Sequence, residues 1–471
     1  MERLKKVGQV KSKKSADIKK SKIGLGFEKL DRDIFEPHKA YPYLAQSGVK
    51  WARLQSGWQR TEKEKGVYDF AWLDDIVDNI IAMGIEPWLC LCYGNQLYTE
   101  LAKERYGAVG CPPIDTEEER QAWDNYVKAT VKHFHGRIQY YEIWNEPDSR
   151  FSWRGKPNAT ELGEFSVRTA RACKEADPDC IVIGFVLSRP RTKEYRNELC
   201  ATGICNEIDI LSYHCYSVEE NQYAEQFKLY DDIRLKYNPK LKVVQGESGA
   251  QSRSDGSGAL AGGAWTPLKQ SKFLLRHLII DIACGAEMVF YFTCVDMIEA
   301  LHGTVGDLQS YLDYGYFGVL GADFDEQGKS TGEYTPKPSF TALQTLTSIF
   351  CNDYSVVSLP VEGVIEPSVR LLSEDFDFEK ARHFGFSKPN GSYGLAYWVD
   401  KNILTETYEG TVSVKIRKGE LPDDMHLVDM LTGAIFDLPE EMVVDDGEYV
   451  KLVNMPILDS PLLLIFGEFC I

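Results

Sequence analysis

Eight short apolar, β-favouring runs recur along the first two thirds of the chain. They cover residues 23–27, 49–54, 86–92, 138–144, 181–185, 208–213, 241–245 and 288–293. Apolar continuity over so few residues marks strands buried on both faces, as in a parallel sheet. Between them lie stretches of helical periodicity at 70–83, 118–134, 161–176, 219–237 and 267–284, with a last one at 338–351. In the first, Leu73, Ile76, Val77, Ile80 and Ile81 share one face, and Gly84 stands where a helix would be capped. Eight strands alternating with helices predict an α/β fold, a closed (β/α)8 TIM barrel. A doubly wound open sheet is the competitor. It needs a Gly-rich phosphate turn after the first strand, and Gly24-Leu-Gly-Phe-Glu-Lys-Leu30 does not complete G-x-G-x-x-G.

After residue 351 helical periodicity gives way to short alternating strands at 393–399, 410–416 and 449–452, with turns at Pro389-Asn-Gly391 and Asp445-Asp-Gly447 and a last apolar strand at 461–466. This predicts a C-terminal all-β sandwich over 352–471 behind a barrel at 23–351. The first 22 residues carry nine Lys/Arg against two acids, a local +7 on a chain of net charge −18. They read as a solvated basic segment, with residues 7–18 able to add a strand to the sandwich. The acidic remainder disfavours nucleic acid and anionic membranes as partners. No run of about 18 apolar residues occurs, and the basic start lacks the apolar core of a signal peptide, so a cytoplasmic location is expected. Many of the 12 cysteines lie in apolar segments and none forms C-x-x-C, which fits reduced thiols and no zinc site. Nothing in the sequence sets the oligomeric state.

Two strand ends carry the chemistry. In Tyr140-Tyr-Glu-Ile-Trp-Asn-Glu-Pro-Asp148 an apolar strand stops at Pro147, which has no N–H to continue a ladder. Glu146 therefore stands at the carboxyl end of the fourth strand, the catalytic face of such barrels. Asn145 beside it offers amide donors. In Leu241-Lys-Val-Val-Gln-Gly-Glu-Ser-Gly249 the seventh strand ends in Glu247, flanked by Gly246 and Gly249, which allow close backbone approach to a ligand. Two glutamates on one rim could flank a glycosidic bond. Glu142, within strand four, and Glu207, before strand six, compete for the second role, but neither ends a strand beside glycine.

The W-N-E-P motif at 144–147 and the G-E pair at 246–247 resemble the clan A (4/7) retaining glycoside hydrolases. With Phe151, Trp153 and a C-terminal sandwich, the chain most resembles glycoside hydrolase family 39; families 5, 30 and 51 share the motifs. The resemblance implies Glu146 as general acid/base and Glu247 as nucleophile in a double displacement. It further implies that Arg53 keeps the nucleophile ionised and that His214 and Tyr216 contact nucleophile and sugar. No metal or organic cofactor is required. A retaining enzyme holds its two carboxyl groups about 5–5.5 Å apart, one neutral and one ionised.

Other residues at the same rim are expected to bind substrate: Tyr93 and Asn95 after strand three, Trp58 after strand two, Trp265 in the Gly-rich loop after strand seven, and Phe292 and Asp296 at strand eight. The expected substrate is a small β-linked oligosaccharide or glycoside, attacked at its end. Pentosides, hexosides and uronides stay open, although no Lys/Arg cluster beyond Arg53 marks a uronate site near these strand ends. A binding-only pseudoenzyme and a transglycosylase are the alternatives on the same barrel.

Overall fold

The computed structural model describes residues 4–155, 158–366 and 381–470; Met1–Arg3 of the basic segment lie outside it. Eight parallel strands close into a barrel: Ile23–Gly26, Trp51–Gln55, Glu86–Leu91, Tyr140–Ile143, Ile181–Leu187, Ile210–His214, Lys242–Ser248 and Val289–Tyr291. The first and last pair directly, Gly24 opposite Phe290, and no edge remains. All eight fall on the runs read from sequence.

The helices form where local chemistry starts and stops them. Thr116 caps Glu117–His133, accepting from the Glu119 N–H at 3.2 Å while Glu119 reaches back to the Thr116 N–H, a reciprocal capping box. Pro267–Cys284 opens with a Thr266 cap and Pro at its first position and ends at Gly285, φ 106°. It is buried nearly all round, and its polar residues Gln270, Lys272, Arg276 and Asp281 are buried along with its apolar ones. Three helices escaped the periodicity reading, one of them the single turn Trp58–Thr61. Pro37–Gln46 contains Pro42 and buries only Ala40, Tyr41 and Leu44, and Lys193–Ala201 buries only Leu199 and Cys200. So narrow an apolar stripe leaves little pattern.

Beyond the barrel two antiparallel sheets pack face to face. A four-stranded one runs in the order Val361–Glu366, Glu409–Arg417, Tyr449–Leu458, Val443–Asp446. A seven-stranded one has Leu462–Phe466 at its centre and Lys5–Gln9 at its edge. The N-terminal strand pairs with Ala434–Asp437, so residues 5–9 join the sandwich, at the start of the stretch expected. One face of the larger sheet, with Trp398, Val428 and Leu463, shares a continuous core with barrel residues such as Phe350 and Leu346. All twelve cysteines are free, eleven of them buried. Among the described residues no helix is long and apolar enough to cross a membrane.

Candidate active site

At the end of strand four the chain turns through two strained residues. Trp144 and Glu146 both adopt left-handed backbone, φ 62° and 48°, which L-residues occupy only when their surroundings demand it. Here packing makes the demand. The Trp144 ring lies edge-on to Tyr93, Trp123 and Trp153, and its indole N–H donates to the Ser152 carbonyl at 2.6 Å. Glu146 is thereby aimed into the barrel mouth.

Strand seven delivers Glu247 by a break in register. Tyr213 pairs with Gln245, but the next residue, His214, pairs with Glu247, leaving Gly246 as the extra residue. A β-bulge of this kind re-aims the following side chain. The barrel itself requires both glycines. A Cβ on Gly246 would meet Ser212 Oγ at 2.3 Å, and one on Gly249 would meet the Phe292 carbonyl at 2.1 Å.

One oxygen of Glu146, one of Glu247 and a ring nitrogen of His214 all lie within 4.8 Å of one another. His214 Nδ1 shares a hydrogen bond with Glu146 Oε1 at 3.1 Å and stands 3.9 Å from Glu247 Oε2. Tyr216 donates its hydroxyl to Glu247 Oε1 at 2.6 Å, and Arg53 Nη1 donates to Glu247 Oε2 at 2.7 Å. The remaining Arg53 donors reach Glu28 Oε1 at 2.9 Å, both oxygens of Glu142 at 2.6 and 2.9 Å, and Asn145 Oδ1 at 2.9 Å. A wholly buried guanidinium thus gathers three carboxylates and an amide. Glu146, His214 and Glu247 have metal-ligand chemistry, but both Glu247 oxygens are engaged by Arg53 and Tyr216. Each oxygen keeps a second lone pair, but the Arg53 cation 2.7 Å from Glu247 Oε2 repels a metal ion placed beside it, so the cluster stands as a hydrogen-bonded array.

The two carboxyls are driven apart electrostatically. Burial raises the pKa of Glu146 above the usual carboxylate range, against the opposing hydrogen bond from His214. Burial would raise Glu247 as well, but the charges of His214 and Arg53 and the Tyr216 hydrogen bond outweigh it, and Glu247 sits below its ordinary value. His214 is desolvated, which favours its neutral form, yet the Glu247 charge and the Glu146 hydrogen bond carry its pKa upward. The arrangement sets a carboxyl biased to hold its proton a few ångströms from one biased to lose it.

A cleft of about 1140 Å³ opens over Glu146 and Tyr216. Of the softer candidates, several belong to the scaffold. Trp58 is fully buried, stacked on Tyr98 and Tyr126, with its N–H on Glu62 at 2.5 Å. Asn95 donates to the Glu62 carbonyl and accepts from the Leu97 N–H, shaping its own loop. Trp265 packs on Phe273 and pins Leu260 through its indole N–H. Asp296 is held by Lys337 at 2.6 Å and by the Gly318 N–H. Each expectation failed for one reason: an aromatic or amide at a strand end supports the loops as readily as it faces the cleft. Tyr93 is buried under Arg32 and packs on Trp144, so it positions the Glu146 turn. Phe292 is near the centre, beneath Lys29 Nζ at 5.1 Å and edge-on to Phe317.

Several site residues went unread. Glu142, set aside because it does not end a strand, is the bidentate partner of Arg53. Glu207 pairs with Arg171 at the surface. Glu28, after strand one, is pushed up to about 7 by burial. Lys29 pairs with Glu299 at 3.5 Å, and both are buried. A polar Glu28-Lys29 pair following an apolar run was a usable signal.

The barrel, its sandwich and the two glutamates at one rim are similar to those of the clan A glycoside hydrolases. Within that class the chain is most like family 39: the model of glycosyl hydrolases family 39 matches residues 35–245. A β-xylosidase of Geobacillus stearothermophilus is 30% identical over 129 residues, 26% of this chain and 25% of that one. The chain therefore matches only about a quarter of that relative's length. Among solved structures, a family 39 glycoside hydrolase of Bacteroides cellulosilyticus aligns with a TM-score of 0.64 at 16% identity, over 95% of this chain and 81% of that one. A monomeric β-xylosidase of Caulobacter crescentus aligns with a TM-score of 0.60 at 15% identity, over 98% and 97%. These two likenesses show the fold.

Proposed function

We propose that the chain is a retaining exo-β-glycosidase, with Glu146 as acid/base and Glu247 as nucleophile. The observation that carries this reading is the Glu146–His214–Glu247 array, whose reacting atoms lie within 4.8 Å while one carboxyl is biased to hold its proton and the other to lose it. Glu146 gives its proton to the leaving oxygen as Glu247 attacks the anomeric carbon. Glu146, now anionic, takes a proton from water, whose oxygen displaces Glu247 with a second inversion. Arg53 and Tyr216 hold the nucleophile anionic and oriented. A cleft walled by loops around 149–151, 188–191, 258–260 and 299–302 supports attack on a terminal sugar. The β-xylosidases among the relatives make a β-D-xyloside the first substrate to try.

A panel of nitrophenyl glycosides tests the reading. Wild type should release nitrophenol from at least one sugar. Glu247→Ala should lose at least about a thousandfold in kcat, the scale expected when a nucleophile is removed. Azide added to Glu247→Gly should give the glycosyl azide of inverted configuration. An unchanged rate in Glu247→Ala would end the assignment.

A further inference from the structure

We propose that the leaving-group side of the cleft binds an anionic substituent, such as a carboxylate or sulfate, through Arg150 and Arg189. The proposal rests on the glycosidase reading and refines its substrate class. Glu146 must face the leaving oxygen, so the cleft wall running outward from Glu146 through Ser149, Arg150 and Phe151 borders the departing group. Facing it is the loop after strand five, Ser188-Arg-Pro-Arg191, which lines the same cleft.

This loop is built rather than slack. Buried Asp148, two residues past Glu146, accepts from the Ser188 N–H at 2.8 Å and from Arg191 Nε at 2.7 Å. Arg191 takes left-handed backbone, φ 48°, and Arg196 donates to its carbonyl and to that of Pro190. The loop bearing the arginines is thus tied directly to the turn bearing the acid. Arg191 is neutralised by Asp148. Arg150 and Arg189 form no ion pair among the described residues; Arg150 only covers the ring of neighbouring Phe151 at 4.8 Å. Phe151 in turn lies 4.1 Å from His302, whose ring completes this side of the cleft.

Two uncompensated guanidinium groups at the mouth of an acidic protein's cleft offer planar, multidentate recognition of an oxyanion. Three of the acids nearby are already engaged or neutral, since Asp148 holds Arg191, Glu299 holds Lys29 and Glu146 favours its neutral form. That leaves Asp313, which lines the same cleft and forms no ion pair among the described residues, as the one free carboxylate there against two guanidinium groups. The arginines sit in the loops beyond strands four and five rather than at the strand ends, so the expectation of no cationic cluster missed them.

The test compares 4-carboxyphenyl and 4-carbamoylphenyl glycosides of the sugar identified by the nitrophenyl panel, in about 50 mM salt, where screening is weak. The two phenols differ in acidity, so the readout is the carboxylate-to-amide ratio of kcat/KM in wild type against Arg150→Gln/Arg189→Gln. That ratio should fall at least about fivefold, through KM, and Arg150→Lys/Arg189→Lys should keep part of it. The same ratio in both proteins overturns the proposal and leaves the hydrolase reading standing. If no aryl sugar is cleaved, the hydrolase reading fails, and calorimetry on the full chain decides the anion site with sulfated and unsulfated chondroitin disaccharides. Binding specific to the sulfated sugar and absent from the double Gln variant supports it; equal binding in wild type and variant overturns it.

Discussion

Glu146 and Glu247 are one side chain in two environments, and their difference sets a pH dependence. The proposed mechanism needs Glu247 ionised, and it is held below the usual carboxylate range, so kcat/KM should fall only as pH drops through that lowered value. Glu146 must be protonated and is held above the range, so activity should fall again as pH rises through its raised value. The profile is a bell. Glu146→Gln assayed with a 2,4-dinitrophenyl glycoside, which needs little protonation to depart, should lose the alkaline limb. Tyr216→Phe removes a hydrogen bond made to the charged form of Glu247, so the nucleophile's pKa rises and the acid limb shifts toward neutrality. A fall in kcat of about tenfold or more should accompany it. An acid limb that stays in place in Tyr216→Phe would mean that this hydroxyl does not tune the nucleophile. At this scale the two carboxylates were legible because each ends an apolar run, a local feature. Glu142 was not, because its role consists in meeting Arg53 from 89 residues away in sequence, whereas Glu28, 25 residues away and just past strand one, left only the trace of a polar residue after an apolar run.

The bulge in strand seven makes a single glycine responsible for where Glu247 points. Alanine at 246 would place its Cβ against Ser212 Oγ, and the backbone of strand six is fixed by its own ladder. The strain is relieved by opening the bulge, which displaces Glu247 from Arg53 and Tyr216. Gly246→Ala should therefore lower kcat by about a hundredfold, the penalty of a displacement near 1 Å, with a smaller effect on stability. Ser212→Gly in the same chain should restore most of the rate, because it removes the clashing atom. A double variant as slow as Gly246→Ala would show that the clash lies elsewhere. The strands themselves were readable from sequence because burial on both faces leaves an unbroken apolar run. The bulge was invisible because it is a property of the pairing, and the glycine that announces it fits a ligand-facing role equally well. The helices Pro37–Gln46 and Lys193–Ala201 were lost for a different reason: they bury two or three residues each.

The sandwich is fastened to the barrel through a buried charge cluster that also anchors the Tyr216 segment. Glu220, four residues past Tyr216, accepts from Arg276 of the helix Pro267–Cys284, from Arg382 at 3.2 Å and from the Trp398 indole at 3.1 Å, the last two from the larger sheet. Arg276 also reaches the Lys401 carbonyl at 2.9 Å, and nearby Lys272 pairs with Asp459 at 2.7 Å. Without Glu220, buried Arg276 keeps only Asp400 at 3.4 Å and the Lys401 carbonyl, while Arg382 keeps Asp400 at 2.6 Å, so the cost falls below the roughly 3–5 kcal/mol of a buried ion left wholly unpaired. Glu220→Ala should lower the urea midpoint accordingly. It should also reduce kcat, because the segment carrying Tyr216 loses its tie to the sandwich. Glu220→Gln keeps acceptors for Trp398 and Arg276 and should lose less of both. If Glu220→Ala unfolds at a lower urea concentration yet turns over at the wild-type rate while folded, the cluster serves stability alone and the sandwich has no hold on the nucleophile's hydrogen-bond donor.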